Sequence, residues 1–137
     1  SSFSLFLYLL VNTLCVFSGT VYRVTGIKSN SAISIRNGAG TNYGIVGIVG
    51  SLKYKDLIYA ISVSNGWAKF YKGYVSTTYL KEVTDLVKYE TNTFLNCRIG
   101  PSTKYTIVKT LNEGTVVNYY GRDPTNKEWT VTDNGYC

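Results

Sequence analysis

The chain has 137 residues, no histidine, three cysteines, and 14 Lys and Arg against 8 Asp and Glu, for a formal net charge of +6. Without histidine, a Ser-His-Asp triad, a Cys-His dyad and a His-ligated zinc are excluded, and three cysteines cannot build a four-thiolate metal site. The length fits one ordinary domain or two very small ones, and so modest a charge speaks first of solubility and only then of an anionic partner.

Charged residues are sparse at 16%, whereas Tyr and Gly each number 13. Tyr, Val, Ile and Thr suit half-buried pleated surfaces and Gly suits the turns between them, so the composition predicts an all-β fold. Residues 1–18, SSFSLFLYLLVNTLCVFS, carry no charge. The apolar run from Leu5 to Phe17 is shorter than the roughly 20 residues of a bilayer span and is interrupted by Asn12 and Thr13. It reads as the core of a secretory signal peptide, with Val16 and Ser18 at the small-residue positions of a cut before Gly19. A signal anchor or a buried strand is the alternative. The initiating Met and a basic leader are missing, so the sequence is expected to start inside its reading frame. Cys15 would leave with the signal, and the mature chain would be extracellular, without stable membrane insertion. It would keep Cys97 and Cys137 in a compartment where a disulfide persists.

Beyond residue 18 the chain repeats itself. Arg98 lies 62 positions after Arg36, and the same step carries Gly38 to Gly100, Thr41 to Thr103, Tyr43 to Tyr105, Trp67 to Trp129, Gly73 to Gly135 and Tyr74 to Tyr136. The step is read as constant, with no gap. Two copies of one small unit follow, residues 19–83 and 84–137. Cys97 and Cys137 then fall on Ile35 and Val75. If these positions are neighbours, the first copy makes a hydrophobic pair where the second makes a disulfide.

Within the first copy AISIR, GIVGIVG, DLIYAISV, WAKFY and GYVS read as short strands, and STTYLKEV is expected to open with a 3₁₀ turn. In the second copy TFLNCR, YTIVKTL, TVVNYYG, EWTVT and GYC are the matching pieces. NGAGTN, SNG, GPSTK, RDPTN and DNG mark the turns between strands. TDLVKYETN begins the second copy with little linker. Short strands with frequent turns predict small barrels or sandwiches.

The run IRNGAGTNYGIVGIV, followed by NGWAKF and KGYVSTTYL, resembles the bacterial-type SH3 (SH3b) family, with Ala39 where its loop usually has Pro. The second copy supplies that Pro at Pro101, and its LNCRIGPSTKY and DNGYC are similar to secreted fungal versions with paired cysteines. The resemblance covers nearly everything after residue 18. It implies two small SH3-like β-barrels in tandem and a non-catalytic role in binding cell-wall polymer such as peptidoglycan, with no cofactor or metal. The second copy stops at the equivalent of Val75, so its barrel would lack a final turn. Since the family often adjoins catalytic domains, the alternative is the targeting fragment of a larger secreted cell-wall hydrolase, a peptidase, amidase or lysozyme whose catalytic domain lies beyond residue 137.

Polymer grooves use flat aromatics with a few orienting polar groups. In the first copy the candidates are Asn42, Tyr43, Asn65, Tyr71, Tyr74 and Tyr79; in the second they are Lys104, Tyr105, Tyr119, Tyr120 and Tyr136. Each Tyr has half-buried packing as its competing role. Trp67 and Trp129 are expected to anchor cores, Arg36 and Arg98 to brace the adjoining loop, and Gly38 and Gly100 to supply positive φ. Two weak units in tandem would gain through effective concentration on a repeating polymer. A glycosidase would need paired acids such as Asp123 with Asp133 or Glu113 with Glu128, but these sit in or beside turns. A proline-rich-peptide binder would carry an acidic first loop, absent from NGAGTNY, and the scattered basic residues do not predict nucleic-acid binding.

Overall fold

The computed structural model describes residues 19–46, 50–85 and 87–137. The signal-peptide reading of residues 1–18, and the middle of GIVGIVG, lie outside the described residues. The fold is all-β, as the composition predicts, with one 3₁₀ turn among its described elements.

The first copy runs β1 (Thr20–Val24), β2 (Ala32–Ser34), β3 (Ser51–Lys53), β4 (Leu57–Ala60), β5 (Ser62–Ser64), β6 (Trp67–Phe70), β7 (Gly73–Ser76), the 3₁₀ turn Thr77–Tyr79 and β8 (Leu80–Glu82). The second runs β9 (Val87–Glu90), β10 (Leu95–Arg98), β11 (Ile107–Leu111), β12 (Val116–Arg122), β13 (Thr130–Thr132) and β14 (Gly135–Tyr136). β1 is a strand that sequence reading missed, because TVYRV adjoins the apolar leader and has no turn signal before it. The expected strand DLIYAISV breaks at Ile61: β4 joins the sheet β4-β1-β8, and β5 joins β5-β6-β7. The 3₁₀ turn forms as expected, with the Ser76 hydroxyl accepting from the Thr78 amide.

Among the described residues no sheet closes into a barrel, in contrast to the two small SH3-like β-barrels that the resemblance implies. The first copy divides among three small sheets, the third being β2-β3. The second is one sheet in the order β11-β10-β14-β13-β12-β9. The wiring is nevertheless shared. Arg36 bridges Tyr74 in the first copy, and Arg98 pairs with Tyr136 in the second. β1 pairs with β4 from Thr20↔Ala60 to Arg23↔Leu57, and β9 pairs with β12 from Val87↔Tyr119 to Glu90↔Val116.

These registers correct the ungapped repeat. The Lys55 amide donates to Val24 O and the Val24 amide to Asp56 O; the Gly114 amide donates to Thr91 O and the Thr91 amide to Thr115 O. Lys55 and Gly114 hold the same left-handed φ, 73° and 84°. Val24 therefore matches Thr91, Leu52 matches Leu111, Leu57–Ala60 match Val116–Tyr119, and Trp67 still matches Trp129. From the Val24 and Thr91 pair to Arg36 and Arg98 the second copy is five residues shorter; from there to the end of β11 it is three shorter again, and it regains three between β12 and β13. The last two changes cancel, which is why a constant step looked sufficient from Arg36 onward.

Cys97 and Cys137 form a disulfide with Cα atoms 4.2 Å apart. Ile35 and Val75 are both fully buried in one core cluster and flank the Arg36–Tyr74 bridge. That bridge exchanges both backbone hydrogen bonds, so the pair beside it takes the close, non-hydrogen-bonded spacing of an antiparallel ladder. The apolar pair and the disulfide thus occupy one site, as the repeat implied.

The copies pack on each other through a third cluster: Val21, Leu57 and Tyr59 from the first, Val131 and Tyr136 from the second. All four residues of β4 are buried because Ile58 and Ala60 face the first copy's own core while Leu57 and Tyr59 face the second copy. The Tyr136 hydroxyl accepts from the Tyr59 amide at 3.2 Å. Fully burying a large side chain contributes about 1.5–3 kcal/mol, so this cluster is a substantial share of the stability of so small a chain.

Candidate functional site

The loop after β2 is built alike in both copies. Arg36 Nη1 donates to Thr41 O at 3.2 Å and Tyr43 O at 2.9 Å, and Arg98 Nη1 donates to Tyr105 O at 3.0 Å. Both arginines brace the loop, as expected. Gly38 and Gly100 have no left-handed φ, a correction to the sequence reading. They are glycines because the Tyr43 and Tyr105 rings lie against them, so that an added Cβ would stand 2.5 and 2.6 Å from ring carbons. Positive φ falls instead on the strand glycines beside each arginine, Gly73 (146°) and Gly135 (106°), where a Cβ would also meet the Arg36 or Arg98 carbonyl oxygen at 2.5 Å.

The candidate aromatics separate into three groups. Tyr71, Tyr105 and Tyr136 converge, with Tyr71 5.3 Å from Tyr105 and 5.4 Å from Tyr136, edge to face. This is the seam between the copies, not an open groove. Tyr136 is fully buried, which removes it from any surface a polymer could touch, and Tyr120 packs against the same cluster. Burial pushes the Tyr71 and Tyr136 hydroxyls well above the ordinary tyrosine range, with hydrogen bonds to Thr125 and to the Tyr59 backbone opposing the rise. Lys104, exposed, sets its ammonium 5.3 Å from the Tyr105 ring.

A second group stays near the surface. Asn42 and Tyr43 are exposed on the braced loop, Tyr74 is half-buried beside Lys69, and Asn65 is exposed at the tip of the β5–β6 turn with φ 52°. The third group lines grooves. Tyr79 lines one of about 360 Å³ on the first copy, and Tyr119 lines one of about 390 Å³ on the second, tilted against Tyr89 at 4.8 Å.

Sequence reading missed what completes the first groove. Trp67 is half-buried and forms part of its wall instead of joining the core. Ile27 adds apolar surface, and Ser34, Arg36, Thr41 and Thr78 add polar groups. The missed signal was the first position of WAKF: Ala68 and Phe70 are the buried alternation of β6, which turns Trp67 aside from the core. Trp129 behaves differently and packs, half-buried, against the seam.

The paired acids have structural jobs. Asp123 is buried, and its Oδ2 accepts from the Thr125 amide, the Thr125 hydroxyl and the Asn126 amide, fixing the longer loop of the second copy. Asp133 accepts from the Asn118 amide and side chain. Glu113 and Glu128 are both exposed.

No protein-family model matches the chain, and no curated protein is significantly similar to it. Among solved structures it is similar to NlpC2 from Trichomonas vaginalis, at 16% identity over 86% of this chain and 44% of that one, with a TM-score of 0.41. It is also similar to NlpC1 from the same organism, at 17% identity over 86% of this chain and 43% of that one, with a TM-score of 0.37. The chain spans less than half the length of either.

Proposed function

We propose that the chain is an extracellular binding module for cell-wall polymer, with peptidoglycan as the first candidate, made of two SH3b-like units at residues 19–83 and 84–137 behind a cleaved signal at residues 1–18. It binds without cleaving. The groove of the first copy is the observation that carries this reading: Trp67 and Tyr79 offer flat apolar faces beside the hydroxyls of Ser34, Thr41 and Thr78 and the charge of Arg36. Apolar walls with a few placed polar groups suit a sugar ring or a short peptide stem. Repeat-derived sequence motifs support the SH3b reading, and the shared loop brace and shared registers are consistent with it.

The test is co-sedimentation of the protein with insoluble peptidoglycan, chitin and cellulose, followed by Trp67→Ala. Retention on peptidoglycan, reduced at least tenfold by the substitution, is expected. Because Trp129 sits at the seam, the fluorescence change on binding should persist in Trp129→Phe and vanish in Trp67→Ala. Lack of retention on all three polymers would sink the reading.

A further inference from the structure

Among the described residues that line the groove of the first copy, Arg36 is the one charged side chain, and no carboxylate stands in the wall beside it. Arg36 is half-buried, and its Nη1 is engaged by the carbonyls of Thr41 and Tyr43, both of these bonds lying open to solvent. Its Nε and Nη2 have no hydrogen-bond partner among the described residues. A guanidinium carries its five N–H donors in a planar fork, and the Nε–Nη2 edge of that fork matches the two oxygens of a carboxylate. The two carbonyls hold the fork in place before any ligand arrives, so little side-chain freedom is lost on binding. The second copy does not repeat this arrangement. The Nε of Arg98 is buried without a partner, and Trp129 packs against the seam instead of walling a groove.

We infer that the first groove is a carboxylate site: its occupant lays an apolar face on Trp67 and Tyr79 and sets a free carboxylate on the Nε–Nη2 edge of Arg36. The inference rests on the polymer-binding reading above and adds the charge of the group that is bound. Charge complementarity carries it. A half-buried cation with no acid in the surrounding wall gains most from a single counter-charge, and a charge-assisted bidentate pair is stronger than any contact the neighbouring hydroxyls could make to a neutral sugar. The formal net charge of +6 draws an acidic polymer towards the surface in the same sense. In a wall polymer the carboxylate can belong to the end of a peptide stem or to a sugar acid. The hydroxyls of Ser34 and Thr78 are placed to orient the remainder of either.

The experiment measures retention of the full chain on native peptidoglycan and on the same polymer with its free carboxyl groups converted to methylamides. Retention on the native polymer should be about tenfold the greater, the scale of one charge-assisted bidentate pair. Arg36→Gln should bring that ratio close to one. The ratio is the readout because this substitution also removes the loop brace and weakens binding to both polymers alike. Lys88→Gln, an exposed change on β9, should leave the ratio intact. Soluble competitors separate the two sources: a stem peptide that competes as the free acid but not as its C-terminal amide assigns the carboxylate to the peptide, and competition by N-acetylmuramic acid assigns it to the sugar. Equal retention on native and amidated polymer would overturn the inference while leaving polymer binding in place. So would a ratio that Lys88→Gln lowers as far as Arg36→Gln does, since the overall charge would then be responsible. Lack of retention on the native polymer would remove the polymer-binding reading and this inference together.

Discussion

The two copies use opposite faces to meet each other. The first buries the outer face of β1 and β4 through Val21, Leu57 and Tyr59; the matching positions of the second are Lys88, Val116 and Asn118, none of them buried. The second buries the outer face of β13 and β14 through Val131 and Tyr136; the first has Lys69 and Tyr74 there, a lysine over a half-buried tyrosine ring. The contact is heterologous, with different faces meeting. The unused face of the first copy carries Lys69 and Tyr74, and that of the second carries Lys88, Asn118 and the exposed Val116. Near-identical motifs thus give the first copy a surface groove walled by Trp67 and the second a tyrosine buried at the seam.

The largest effect should come from breaking the seam. Tyr136→Ala removes a fully buried ring and should cost about 4 kcal/mol, whereas Tyr74→Ala, its repeat partner, should cost about 1 kcal/mol or less; urea denaturation of both variants measures the contrast. Equal costs would mean that the seam contributes nothing beyond each copy's own packing.

The disulfide comes next. The double substitution Cys97→Ile, Cys137→Val installs the first copy's pair in the second. Losing a bridge that closes a loop of 40 residues should cost about 2–4 kcal/mol, part of it returned by the new apolar contact. A variant as stable as the parent would show that an apolar pair holds the second copy as well as the disulfide does.

Alkali should then separate the seam from the rest. The folded-state pKa values of Tyr59, Tyr71 and Tyr136 lie above the ordinary value near 10, chiefly through burial. Their contribution to stability is fully present below about pH 10 and is lost as pH climbs from there through the raised folded values. Thermal melting should therefore fall above about pH 10, with the fall reduced in Tyr71→Phe. A melting temperature that stays flat to about pH 12 would contradict the buried seam.

The smallest contrast is Gly73→Ala against Gly135→Ala. Both glycines combine a positive φ with a carbonyl at close range, so each variant should lose about 1–3 kcal/mol. A difference of more than about 1 kcal/mol between the two would show that the copies tolerate this strain unequally.

Much of this was legible from residue types and spacing. The strand content followed from the Tyr, Val, Ile and Gly composition. The repeat placed the cysteines on Ile35 and Val75, and the pair they replace does sit across one ladder. The arginine braces were also readable, because a guanidinium beside a Gly-rich loop has many carbonyls in reach. The roles of the aromatics were not. Tyr74 and Tyr136 occupy one sequence position yet lie on a surface and in an interior, because burial depends on what packs against the strand. Trp67 and Trp129 diverge for the same reason.

Sequence by itself determined the all-β character, the repeated motif and the pairing of Cys97 with Cys137. These depend on local pattern and on one repeated motif, and both are written along the chain. Only the tertiary structure decided that compensating three-residue changes hide inside the repeat, which tyrosines form the seam, and that Trp67 lines a groove while Trp129 packs against the seam. Each of those follows from contacts between residues far apart in sequence, where a strand's neighbour, and not its own residues, sets which face is buried.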